Sequence, residues 1–134
     1  MKSGLAHLVF GIEPANLPFY KDLLTFLGWT IFFDGYGMIG ASGKGACSLW
    51  FGPNLKSHAN NYDGPGLNHL AIGVESIADV NATVEYVQKL GIPALFETPR
   101  HRPDFSHSES DTYYQVMFES PDRILFEVVY TGPK

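Results

Sequence analysis

Three side chains in this sequence are of the types that divalent metal ions take as ligands: His7, His69 and Glu127. His7 lies in Leu-Ala-His-Leu-Val-Phe-Gly-Ile-Glu, and His69 in Leu-Asn-His-Leu-Ala-Ile-Gly-Val-Glu. The two stretches share Leu, His, Leu, Gly and Glu in the same places, and each follows a glycine, Gly4 or Gly66. Glu127 lies in Ile-Leu-Phe-Glu-Val-Val-Tyr, an otherwise apolar run. A carboxylate there is costly to bury unless it is paired or coordinated. Two neutral imidazoles and one carboxylate make the facial triad of non-haem Fe(II), with open positions for substrate or dioxygen, and Mn(II), Zn(II), Ni(II) or Co(II) accept the same donors. Taken singly, a strand histidine or a terminal-strand glutamate is more often structural. The repeat is what joins them.

The elements that must position these side chains also repeat. Gly4 to Ile12 reads as a strand, and Pro14 to Leu27 as a helix with Leu17, Tyr20, Leu24 and Leu27 at helical spacing. Asn16 is a candidate N-cap before Pro18, and Gly28 a stop. Strands follow at Trp29–Phe33, Met38–Ala41 and Ala46–Phe51, then a polar loop from Gly52 to Gly66 that links the halves. The second half gives a strand at Leu67–Val74 and a helix at Ser76–Leu90, with Val80, Val84, Val87 and Leu90 as its stripe and Gly91 as its stop. It continues with a strand at Ile92–Glu97, a long polar segment from Thr98 to Asp111 read as a lid or mobile loop, and strands at Thr112–Glu119 and Ile124–Tyr130. The expected fold class is α+β: one domain over 1–134, built of two tandem βαβββ modules (about 1–55 and 64–134) whose curved mixed sheet surrounds a central cleft.

Strand alternation assigns faces. It puts His7 with Leu5 and Val9, and His69 with Leu67 and Ala71, opposite the apolar sets that suit packing under a helix. Along Thr112–Glu119 it groups Tyr113, Gln115 and Met117, the less uniformly apolar set, toward the cleft. Tyr113 could donate a hydrogen bond to a bound anion, and Gln115 could orient a substrate. His101 and His107, in the long segment with Arg100 and Arg102, are candidate general bases, against the simpler reading of a solvated charged loop. Trp50, with Trp29 and Phe33, supplies an apolar wall or core.

Composition excludes several function classes. The chain has 134 residues, 45% of them apolar, and a formal charge of −5 with nine basic residues. No basic cluster is dense enough to track a phosphate backbone, so no nucleic-acid partner is expected. No apolar run approaches membrane-spanning length. The N-terminus lacks a signal-peptide layout, and Cys47 is the single cysteine, so a reducing cytoplasm is expected.

These residues resemble the vicinal oxygen chelate superfamily, which includes glyoxalase I, extradiol dioxygenases, fosfomycin and bleomycin resistance proteins, and epimerases. The resemblance covers nearly the whole chain: the paired modules, the opening histidine strand, Phe19-Tyr20 with Leu23 and Leu27-Gly28, and Asn68-His69. Its most specific part is the tail, Phe118-Glu119-Ser120-Pro121-Asp122-Arg123 running into Leu125-Phe126-Glu127. The family's usual turn there is Asp-Pro-Asp-Gly, so Ser120 and Arg123 depart from it. The resemblance implies metal ligands His7, His69 and Glu127, a divalent ion with Fe(II) or Mn(II) favoured, a small-molecule substrate, and a homodimer. Glyoxalase-type members carry a fourth Glu or Gln ligand on the fourth strand, and Ala46–Phe51 offers none. That implies a three-ligand, dioxygenase-like site, although Met117 stands where extradiol enzymes carry a tyrosine. Two other readings remain: a metal-free protein of the same fold that binds a small apolar compound, and an interaction module that uses the fold alone.

Overall fold

The computed structural model describes residues 1–53 and 56–134; Asn54 and Leu55, within the expected Gly52–Gly66 loop, lie outside the described residues. The chain divides into two compact units, Met1–Ala59 and Asn60–Lys134.

In the first unit β1 (His7–Ile12) is followed by α1 (Leu17–Phe26), β2 (Thr30–Gly35), β3 (Met38–Ser42) and β4 (Ser48–Pro53). The sheet order is β1-β4-β3-β2, with β1 parallel to β4 and the other pairs antiparallel. The second unit repeats this with β5 (Leu70–Gly73), α2 (Ile77–Lys89), β6 (Leu95–His101), β7 (Asp111–Glu119) and β8 (Leu125–Pro133), in the order β5-β8-β7-β6. β5 is parallel to β8. The twofold βαβββ repeat predicted from the sequence is therefore the architecture.

Each helix covers one face of its own sheet. In α1, Tyr20, Leu23 and Leu24 are buried, three and four residues apart, as a single helical face requires. Tyr20 stacks on Phe51 (4.5 Å between centroids), and Phe51 stacks on Phe10 (4.8 Å). In the second unit Val80 and Val87 are buried among Ile72, Val116, Phe118, Phe126 and Val128. The histidine strands alternate as expected. Phe10 and Ile12 are buried while His7, Val9 and Gly11 are exposed; Leu70 and Ile72 are buried while Ala71 and Gly73 are exposed.

Several boundaries differ from expectation, each for a local reason. Pro14–Asn16 is a separate 3-10 turn, and α1 starts at Leu17 with no side-chain cap bond from Asn16. In α2, Ser76 does cap, accepting from the Asp79 N–H at 3.1 Å. The buried third position of α2 is Thr83, whose hydroxyl donates to the Asp79 carbonyl at 2.9 Å. Leu90, expected in the stripe, is exposed.

The largest difference is at β6. The segment from Thr98 was expected to be a loop, but the strand runs from Leu95 to His101. Its pairing jumps from Leu95 opposite Met117 to Arg100 opposite Gln115, so four residues bulge out where β7 has one. Phe96 (φ +55°) and Glu97 (φ +58°) adopt left-handed backbone, which is uncommon for side chains of this size. Thr98 closes the bulge. Its hydroxyl donates to the Leu95 carbonyl at 2.7 Å and accepts the Met117 N–H at 3.0 Å, which the interrupted ladder leaves free. A short 3-10 turn, Pro103–Phe105, follows.

Candidate metal centre

The centre is built on the open face of the second sheet. In the β7–β8 ladder Tyr113 lies opposite Thr131, Gln115 opposite Val129 and Met117 opposite Glu127, so these side chains share one face. That face forms a cavity of about 740 Å³ whose lining includes His69, Glu127, Tyr113, Gln115, Phe105 and Arg102. Glu127 is 2% exposed, a carboxylate withdrawn from water as its apolar surroundings predict. Its Oε2 is 2.9 Å from His69 Nε2, and its Oε1 accepts a hydrogen bond from the Tyr113 phenol at 2.7 Å.

The hydrogen bonds decide which histidine nitrogen carries the proton. The Asn68 Nδ2 group donates to the Tyr62 carbonyl at 3.0 Å, so the amide faces His69 with its oxygen. That oxygen is 2.8 Å from His69 Nδ1, and two acceptors cannot share such a contact. Nδ1 therefore bears the hydrogen. In the neutral ring Nε2 is then a lone pair aimed at a carboxylate oxygen. Such a pair needs either a proton or a cation between its members.

A divalent ion suits that pair on donor chemistry. Two donors at bond lengths of about 2.1 Å on adjacent corners of a metal centre lie about 3 Å apart, close to the His69–Glu127 separation. Histidine ligands commonly have the other ring nitrogen held by a carbonyl or carboxylate, and ligand carboxylates are themselves hydrogen-bonded. Asn68 and Tyr113 do both. Burial first, then the bond to Glu127, pushes the Tyr113 phenol up to about 12, so it remains a neutral donor through the physiological range. Among the described residues no three His, Cys, Asp or Glu side chains gather into a metal-holding group. The second unit supplies a pair and the two residues that orient it.

The other predicted residues distribute as follows. Met117 lines the cavity but is mostly packed in a cluster with Tyr62, Leu125 and Leu95. His101 bonds through Nδ1 to the Thr112 hydroxyl at 2.6 Å and lines a different, smaller pocket with Ser106 and Lys134. His107 is exposed and lines neither. His7 and Trp50 belong to the first unit, where both lie on its open face: Val9 pairs with Trp50 just as Ala71 pairs with Glu127. Trp50 thus holds in the first module the place that Glu127 holds in the second. Its indole N–H donates to Ser48 Oγ at 3.1 Å, its ring packs on Phe32 and Phe33, and it lies flat over Gly40, where a Cβ would come within 2.9 Å.

Two positions in the second unit were given no role from the sequence. Tyr62 and Asn68 orient His69 from the segment before β5, and the signal available was the polar residue directly preceding the histidine. Arg123 occupies left-handed backbone (φ +58°) at the place where the resemblance expects glycine. It is held there by contacts to the segment before β5. Its carbonyl accepts from Asn60 Nδ2 at 3.0 Å, its guanidinium reaches Asp63 at 3.3 Å, and it lies over the Tyr62 ring at 4.8 Å.

Solved structures share the fold of this chain over almost its full length. A candidate glyoxalase from Bacillus halodurans superposes with a TM-score of 0.75 at 24% identity, covering 94% of each chain. The chain has the fold of the glyoxalase/bleomycin resistance/dioxygenase proteins. A domain of that description from Frankia sp. EAN1pec gives a TM-score of 0.70 at 20% identity, covering 98% of this chain and all of the other. The fosfomycin resistance protein FosX from Listeria monocytogenes, solved with Mn(II) and sulfate, gives 0.67 at 17% identity, covering 98% of this chain and 93% of that one. No protein-family model matches the sequence, and no curated protein does. Within this glyoxalase-like fold, no helix among the described residues is long and apolar enough to cross a membrane.

Proposed function

We propose that this chain is a metal-dependent enzyme acting on a small molecule, with His69, Glu127 and His7 as ligands and a three-ligand, dioxygenase-like centre. The observation that carries this reading is the hydrogen-bonded line Tyr62–Asn68–His69–Glu127–Tyr113, which fixes the imidazole tautomer and the carboxylate orientation as a ligand pair needs. The Mn(II) bound by FosX on the same fold supports a divalent ion. Fe(II) or Mn(II) fits the donors best, and Zn(II), Ni(II) or Co(II) fits them too. When bound, such an ion supplies Lewis acidity toward two neighbouring oxygens of a substrate. Glu127 and His69 hold the ion side of the cavity, Tyr113 keeps Glu127 turned inward, and Gln115 offers its amide to the substrate. Trp50 in the slot equivalent to Glu127 removes the fourth donor that a glyoxalase-type site uses. A cytoplasmic homodimer belongs to the same reading.

A second reading is a metal-free binding protein for a small apolar compound. It is favoured by the apolar part of the cavity lining, Phe96, Phe105, Met117 and Leu125. Metal analysis of protein purified without chelator separates the two. One divalent ion per chain is expected, lost in His7→Ala, His69→Ala and Glu127→Ala. Metal content unchanged by those substitutions would exclude this centre. Sedimentation velocity tests the dimer.

A further inference from the structure

We infer that the second unit's cavity takes substrates carrying a carboxylate on a flat apolar body, with Arg102 as the residue that recognises the carboxylate. The inference deepens the proposed function and rests on the cavity there being the substrate site.

The charges of the lining lead to this conclusion. Of its two carboxylates, Asp63 is paired with Arg123 and Glu127 with His69. Arg102 is the cation left over. Among the described residues no carboxylate lies within ion-pairing distance of it; its guanidinium sits over the Phe105 ring at 4.8 Å. Its backbone is fixed, since the Arg102 N–H donates to the Tyr113 carbonyl at 2.7 Å and its own carbonyl accepts from Phe105 N–H and Ser106 Oγ. The Phe105 ring in turn packs against Tyr113 at 5.4 Å. A guanidinium stacked on an aromatic face keeps its planar edge of N–H donors free, and that edge matches a carboxylate in two parallel bonds.

A second observation points to a polar ligand. Gln115 is 3% exposed and lines the cavity, yet its side-chain amide has no hydrogen-bond partner among the described residues. Its amide atoms are open to the cavity rather than sealed from it, so a bound polar group can pair with them there. The rest of the ligand must be apolar. Phe96, brought to the lining by the left-handed bulge of β6, is an aromatic ring there, and Phe105, Met117 and Leu125 complete the apolar lining.

The experiment uses metal-free protein and a small panel of probes: benzoate, phenylacetate and cinnamate, each beside its primary amide. Binding is followed by amide chemical shifts in two-dimensional NMR. At least one carboxylate is expected to bind about tenfold more tightly than its amide, with shifts in β6 and β7. Arg102→Met should bring that ratio to within about twofold, and Arg102→Lys, a point charge without the fork, should retain part of it. Gln115→Leu should weaken acid and amide alike, which separates the amide's role from the charge. No preference for any acid over its amide, or a preference that survives Arg102→Met, would overturn the inference. His69→Ala keeps the two readings apart. If it abolishes metal binding but leaves the ratio intact, both stand. If metal content is insensitive to it and the ratio depends on Arg102, the metal centre fails and the carboxylate site stands.

Discussion

Asn68 turns its amide oxygen, not its nitrogen, toward His69, because its nitrogen is committed to the Tyr62 carbonyl at 3.0 Å. One backbone carbonyl thereby sets, through one side chain, the proton position on a candidate ligand seven residues further along the chain. Removing the intermediary should be costly to metal binding and nearly silent in folding. Asn68→Ala is expected to weaken divalent-ion affinity about 10- to 100-fold, measured by competition with a chromophoric chelator. Asn68 is exposed, so the melting temperature should change little.

Tyr113 gives a pH signature. Burial and the Glu127 bond favour the neutral phenol and place it at about 12. The folded value lies above the ordinary value of 10.0, so the contribution to stability is fully present below pH 10 and is lost as the pH rises through about 12. In metal-free protein, the ultraviolet phenolate titration of wild type minus Tyr113→Phe should show a single late transition. A difference already complete near pH 10 would contradict the buried Tyr113–Glu127 bond.

Arg123 separates backbone strain from side-chain contacts. Both glycine and alanine lose the contacts to Asp63 and Tyr62, but glycine accepts the left-handed conformation freely while alanine keeps its cost. Arg123→Ala is expected to melt about 4 °C below Arg123→Gly in thermal denaturation. Equal melting temperatures would mean that the turn carries no strain.

Gly40 and Trp50 should behave as one unit. A Cβ at position 40 would meet the indole ring at 2.9 Å, and a rigid ring already packed against Phe32 and Phe33 cannot give way cheaply. Gly40→Ala is expected to cost about 1–3 kcal/mol in denaturant unfolding. In a Trp50→Ala background the same change should cost well under half of that, a coupling a double-mutant cycle reads directly.

The repeated histidine strand made the fold legible, because a nine-residue stretch that recurs with five identical residues fixes both the element and its role in a module. Strand parity also assigned Tyr113, Gln115 and Met117 to the face that lines the cavity. The same logic could not reach β6. There Thr98 replaces a ladder bond with its hydroxyl, so a segment with loop composition continues as strand. Arg102 read as one charge in a solvated stretch because its lack of a carboxylate partner is a property of three-dimensional neighbours. The orientation of Asn68 was hidden for the same reason: nothing local says that its nitrogen finds a carbonyl six residues back.

The exchange of Trp50 for Glu127 at equivalent ladder positions gives the two modules different trades on one chassis. One copy of the duplicated sheet has spent its central address on a carboxylate, and the other has filled it with an aromatic plate that Gly40 was cleared to receive. The first module therefore keeps an unused position of known register. Trp50→Glu would put a second carboxylate at that address, and the space above Gly40 would be left for solvent or a larger neighbour to occupy. A protein laid out in this way changes its donor count through a single codon, without a new loop, strand or fold.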